Sequence, residues 1–241
     1  MDKICLSRVF FFLILLPSCR QKNSSHSSEL INEMQLKRGQ IISCGPADKQ
    51  FGTAEFKITC DEIVKEDFNL AIKLLHSFEY DEAEKAFATV ISKQPDCAMA
   101  YWGVAMANFH PLWTPPTETE LKKGAKAIQA ARLQKTSDRE TAYIDAIASF
   151  YTNWETLGHS IRYQKFEKGI EKVYSNYPGD KEAAVFYALA LCAAADINDK
   201  SFTKQKKAGN ILNTLYPDEP GHPGIVHYLI HAYDYPELAG E

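Results

Sequence analysis

Residues 222–234 read HPGIVHYLIHAYD, and their histidines have the spacing best suited to chemistry. His227 and His231 are four apart. On a helix that sets two imidazoles one above the other, within reach of a single metal ion. Asp234, almost a turn further on, offers a carboxylate as a third ligand. The pair does not belong to a zinc-protease helix. That chemistry needs a glutamate directly after the first histidine, and Tyr228 stands there. His222 falls about 140° away around the axis, at ~100° per residue, and is read as a helix cap rather than a ligand. His76 and His110 come from distant parts of the chain. They join the pair only if the intervening helices curve tightly. The competing arrangement is a buried imidazole bonded to a backbone or carboxylate acceptor.

The rest of the chain holds no glycine-rich phosphate loop, no Gly-x-Ser-x-Gly turn and no paired metal-binding cysteine motif. No catalytic residues and no cofactor are expected. Carboxylates near lysines, such as Glu82 and Lys85, read as solvated helix faces, as does the lysine-rich stretch 204–207. A net charge of −4 gives no broad basic footprint, so nucleic acid is not an expected partner.

The elements that carry these residues are helical. From Asp61 onward apolar residues recur with helical spacing, punctuated by Pro, Gly and Asn, and no strand is expected. In residues 68–95, Leu70, Ala71 and Leu74 mark one helix, and Tyr80, Ala83, Phe87 and Pro95 mark the next. Residues 163–178 repeat the pattern of 80–95, with Tyr, Glu-Lys and a closing Pro in phase. Residues 98–109, 144–151 and 182–194 read as first helices of further pairs, 201–216 as a second helix, and Pro223–Tyr233 as the first helix of a fifth pair. Within the last, Val226, Leu229, Ile230 and Tyr233 form the apolar stripe expected to face the core. Thr117 and Glu120 form a capping box after the loop 110–120, in which Trp113 reads as a packing plug, with a lid residue as the alternative.

This spacing resembles the tetratricopeptide repeat, a helix–turn–helix unit that stacks into a right-handed solenoid. The expected fold is therefore all-α, a solenoid of about four and a half such units over residues 61–241. The strings LLHSFEYDEAEKAF, PDCAMAYWGVAMANFHPLWTPPT and HPGIVHYLIHAYDYPELA are similar to a bacterial family of exported tetratricopeptide proteins without an assigned activity. Its members are longer, so the repeat domain is expected to continue beyond Glu241.

In tetratricopeptide arrays the first helix of each unit lines a concave groove. The resemblance places Phe68, Ile72 and His76 there from the first unit, and Met99, Trp102, Met106 and His110 from the second. Asp145, Ser149 and Thr152 follow from the third, Tyr187 and Leu191 from the fourth, and His227, His231 and Asp234 from the fifth. Such a groove suits a protein or peptide ligand with aromatic anchors. The alternatives are a metal-binding protein or metal-dependent enzyme built on His227 and His231, and a carbohydrate binder stacking sugars on Trp102, Trp113 or Trp154.

The N-terminus points to export. Lys3 and Arg8 precede an apolar run from Val9 to Leu16, too short to span a bilayer. The run ends in Leu-Pro-Ser-Cys, which resembles the lipobox of bacterial lipoproteins. That implies removal of residues 1–18 and a lipid on Cys19, with Arg20 fitting the outer membrane. An ordinary secretory signal, leaving a soluble periplasmic or secreted chain, is the alternative. Residues 19–60 then form a polar tether and loop-rich lead-in. Cys44 and Cys60 can pair as a disulfide in an oxidising compartment or stay as two free thiols, while Cys97 and Cys192 read as small core residues.

Overall fold

The computed structural model describes residues 29–42, 51–238 and 240. Cys19, the leader and Cys44 lie outside them. Among the described residues the chain is helical, without strands. The helices are α1 (Lys65–His76), α2 (Tyr80–Lys93), α3 (Ala98–Ala107), α4 (Glu118–Arg132), α5 (Asp138–Tyr151), α6 (His159–Asn176), α7 (Lys181–Ala193), α8 (Thr203–Leu215) and α9 (Pro223–Tyr233). Each packs against its neighbours in sequence, as successive hairpins with α9 left over.

Local chemistry sets the starts. Thr117 and Glu120 cap α4 reciprocally, and Ser137 and Glu140 do the same for α5. Asp180 caps α7. His222 caps α9 through its ring nitrogen, and Pro223 occupies the first turn, where its missing N–H costs nothing.

The first helices of the hairpins, α1, α3, α5 and α7, face inward and carry the largest aromatic side chains. The array curves until α9 packs against both α7 and α1. Gly224 makes that closure possible: a Cβ there would sit 2.6 Å from His76 Nδ1. With the inner helices drawn together, Phe68, Ile72, His76, Met99, Trp102, Met106, Tyr187 and Leu191 are all buried. The open groove expected of these residues is therefore a closed interior.

What fills its axis is the chain's own lead-in. In residues 53–60, Ala54, Phe56, Ile58 and Cys60 turn inward, and Thr53, Glu55, Lys57 and Thr59 turn out. Phe56 lies within 5.0–6.4 Å, ring centre to centre, of Phe68, Trp102, Tyr143 and Phe186, one from each inner helix. Side chains anchor the segment. The Phe56 N–H donates to Asn69, and the Thr59 N–H and hydroxyl donate to Glu140 at 2.7 Å each. Arg139 donates to the Lys57 carbonyl and lays its guanidinium 4.7 Å from the Phe56 ring centre. At its end Cys60 is bonded to Cys97, not to Cys44. The reason is positional: the segment runs past the start of α3, where Cys97 sits with its Cα 5.4 Å away. Further upstream, Leu30, Met34 and Leu36 are buried against the array, and Lys37 and Ile42 donate backbone N–H groups to Glu84 and Glu82. The described part of the lead-in is thus packed against the array, while the stretch after Cys19 read as a tether lies outside the described residues.

Two further expectations change. On α9 the buried stripe is Ile225, Tyr228 and Ala232, while Val226 and Ile230 are exposed, because the helix rotates to present Tyr228 to His76. The lysines of 204–207 are not merely solvated: Lys204 pairs with Glu167, and Lys207 reaches Glu171 and the Tyr187 hydroxyl.

Candidate functional site

The histidines divide between two places. His76 and His222 meet in a buried cluster around Glu182. The Ile225 N–H donates to His222 Nδ1, so the His222 proton is on Nε2, which donates to Glu182 Oε1 at 3.0 Å. His76 Nε2 donates to Glu182 Oε2 at 2.9 Å, and its Nδ1 accepts from the Tyr228 hydroxyl at 2.9 Å. With these protons every polar atom of the four side chains named here has a partner, and the carboxylate receives two N–H donors. Burial works against the charge of Glu182, but the two imidazoles outweigh it and hold the carboxyl at about 2. Burial keeps His76 below its ordinary value, with Glu182 pulling the other way. Ring nitrogens and a carboxylate this close, all within 4.8 Å, have the composition of a metal site. The proton pattern argues otherwise. A ligating Nε2 needs its lone pair free, and the capping bond fixes the His222 proton there. The cluster reads as a polar lock joining α1, α7 and α9, with Glu182 and His222 in the floor of a cleft of about 1100 Å³.

His227 and His231 lie outside this lock and are half-buried. The His227 Nδ1–H donates to the His76 carbonyl at 2.8 Å, near the end of α1. Its Nε2 lies 3.0 Å from Nε2 of His231. Phe78 covers both rings, at 4.3 Å from His227 and stacked at 5.7 Å and 11° on His231. Trp113 stands 4.8 Å from His231, nearly perpendicular. Burial, and then His227, hold His231 below its ordinary value, with Asp234 pulling the other way.

Beyond His231 opens a cleft of about 730 Å³, lined among others by Trp113, His159, Tyr163, Phe202 and Asp234. The backbone around it is unusual. Phe78, His110, Trp113 and Phe202 all hold left-handed φ values, from 45° to 60°. Such a conformation costs an L-residue with a bulky side chain about 1–2 kcal/mol. It persists only where the surroundings enforce it, and it gathers at binding sites. Tyr163 donates to the His110 carbonyl at 2.7 Å, and His110 pairs with Glu120 at 3.1 Å, which fixes the base of the loop that carries Trp113. Trp113 itself is 75% exposed, so it is not the packing plug its loop implied.

Of the residues expected to form a groove, His231 and Asp234 line this cleft with His227 behind His231, and His110 is half-buried and bonded into the nearby loop. Asp145 is exposed and paired with Arg132. Among the tryptophans, Trp102 is buried and Trp154 half-buried against the core, leaving Trp113 as the exposed one. Sequence reasoning missed Phe56, Phe78 and Glu182. The first was legible in the alternation of Thr-Ala-Glu-Phe-Lys-Ile-Thr-Cys; the other two carry no local signal. No family model, curated protein or solved structure matches the chain. No described helix is long and apolar enough to cross a membrane.

Proposed function

We propose that the chain is a recognition module of the bacterial envelope, of tetratricopeptide type, that holds a peptide segment of another protein in the cleft beside His231. The observation that carries this reading is Trp113: a large aromatic side chain, 75% exposed, at a cleft that it lines together with Phe202, both on left-handed backbone. Exposed rigid aromatics at a concave site are the usual anchors of peptide recognition. Asp196, Asp199 and Asp234 line the same cleft against Lys200 alone among the charged side chains, which favours a segment with a basic residue beside its apolar anchor. The interior is an unsuitable seat for a partner, because Phe56 and its neighbours fill it. The repeat type is supported by the hairpin succession, and the lipid anchor by the leader sequence alone.

The test is selection from a random peptide display library against the chain and against its Trp113→Ala variant. Enriched peptides should quench tryptophan fluorescence saturably and bind the variant at least about 30-fold more weakly, the loss of roughly 2 kcal/mol expected of an aromatic anchor. Peptides that bind the variant equally well would place recognition elsewhere. Saturable binding of glycans, with no peptide enriched, would favour the carbohydrate reading on the same tryptophan.

A further inference from the structure

We infer that His227 and His231 form a chelating site for a divalent metal ion, copper(II) or nickel(II), open to the cleft. The site shares its location with the peptide-binding reading but does not depend on it, since the metal is titrated alone. Three observations converge. The first is the proton pattern. His227 gives its Nδ1 proton to the His76 carbonyl, so its Nε2 lone pair points at His231. A backbone acceptor on the far nitrogen is what fixes the tautomer and orientation of metal-bound imidazoles.

The second is the distance between the two nitrogens. Nitrogens held 3.0 Å apart by a hydrogen bond are close enough for both to reach one ion at metal–nitrogen bonds of about 2.0–2.1 Å. The choice of ion follows the affinity of nitrogen ligands for divalent first-row metals, which rises through nickel(II) to a maximum at copper(II). The third is rigidity. Phe78, on left-handed backbone, lies against both imidazole rings, so part of their side-chain freedom is already lost before binding.

Two rearrangements are needed, a proton shift and a turn of the rings that lets both Nε2 atoms face one ion. Without metal, the His231 Nε2–H donates to His227 Nε2. For ligation that proton moves to His231 Nδ1 by exchange with water, and the ring is half-exposed. Both nitrogens then present lone pairs, and neither imidazole changes charge. Two protein ligands leave the remaining positions to water or to donors of whatever occupies the cleft. His222 in the buried cluster lacks this freedom, because the Ile225 N–H occupies its Nδ1 and its proton stays on Nε2.

The experiment titrates copper(II) and nickel(II) chloride into the tag-free chain in mild detergent, read by calorimetry and tryptophan fluorescence. Trp113, 4.8 Å from His231, is a built-in reporter. The expected result is saturation at one equivalent, with quenching that disappears in Trp113→Phe while binding remains. His231→Gln keeps an N–H donor for His227 but has no ring nitrogen. Losing one arm of a chelate should weaken binding roughly 100-fold or more. His26→Ala should leave the affinity unchanged, and His159→Ala tests whether the other histidine of the cleft is a ligand instead. No saturable binding of either ion, or binding that survives His231→Gln with its helicity intact, or binding that is lost instead with His26 or His159, would overturn the inference.

Discussion

Phe56→Ala tests whether the lead-in belongs to the core, and the structure sets its size. The ring is 3% exposed and touches an aromatic residue on each of four inner helices. Emptying such a site costs about 3–5 kcal/mol, the sum of lost transfer energy and the cavity left behind. Loss of the Arg139 contact over its face adds roughly 0.5–2 kcal/mol. For a domain of this length, 1 kcal/mol shifts the melting temperature by about 2–4 °C, so the first term alone gives a drop of about 6–20 °C. Circular dichroism during heating and in urea measures both. A second readout separates a cavity from general loosening: Trp102, 1% exposed beside Phe56, should become accessible to a neutral fluorescence quencher in Trp113→Phe/Trp154→Phe background. A loss under about 1 kcal/mol with Trp102 still shielded would mean that residues 51–60 do not occupy the axis, and the reasoning that closes the groove would fail.

Two other outcomes are expected. Replacing Cys60 and Cys97 together by serine opens a loop closed over 37 residues, which in the chain-entropy estimate costs about 4 kcal/mol. Chemical denaturation with and without reductant measures it, and identical midpoints would show that the bond contributes nothing. Stability should also fall in acid in two stages. His76 is held below its ordinary value, so below about pH 6.5 the unfolded chain binds more protons than the native one, and stability declines as pH falls. Glu182 has the opposite partner charge but the same sign of effect. Its carboxyl sits at about 2 in the fold against 4.5 as reference, so its contribution is complete above 4.5 and is lost as pH falls toward 2. A urea midpoint unchanged between pH 7.5 and 4 would contradict the first stage.

The hairpin succession was readable because it rests on local rules. Apolar residues at three- and four-residue spacing, Pro95 after α2, and the Thr117–Glu120 box each act within a turn or two of helix. Closure was not readable. It is the sum of small rotations between successive hairpins, and no short window encodes whether α9 reaches α1. The same rotations decide whether Phe68 and Trp102 face a groove or an interior, so the residues were placed on the right helix faces but given the wrong surroundings. The disulfide failed for a related reason. Cys44 and Cys60 are near in sequence, whereas Cys97 is brought to Cys60 only by the path of the lead-in. That path had its own signal, a period of two in residues 53–60, which a search tuned to helices passes over.

The three histidines of α9 show where residue type stops being informative. His222, His227 and His231 are the same side chain within ten positions. What separates them is which ring nitrogen holds the proton, and that is set by one neighbour each. The Ile225 N–H takes His222 Nδ1 and turns its remaining proton onto Glu182. The His76 carbonyl takes the proton of His227 Nδ1 and frees Nε2. His231, at the cleft, is left to answer His227. Spacing alone grouped the second and third and set the first aside, which is the division the geometry keeps. It did not say that the first would bind a buried carboxylate, because Glu182 is 40 residues away. A helix can therefore carry two kinds of histidine side by side, one turned inward onto a buried carboxylate and the others paired with each other at the edge of a cleft.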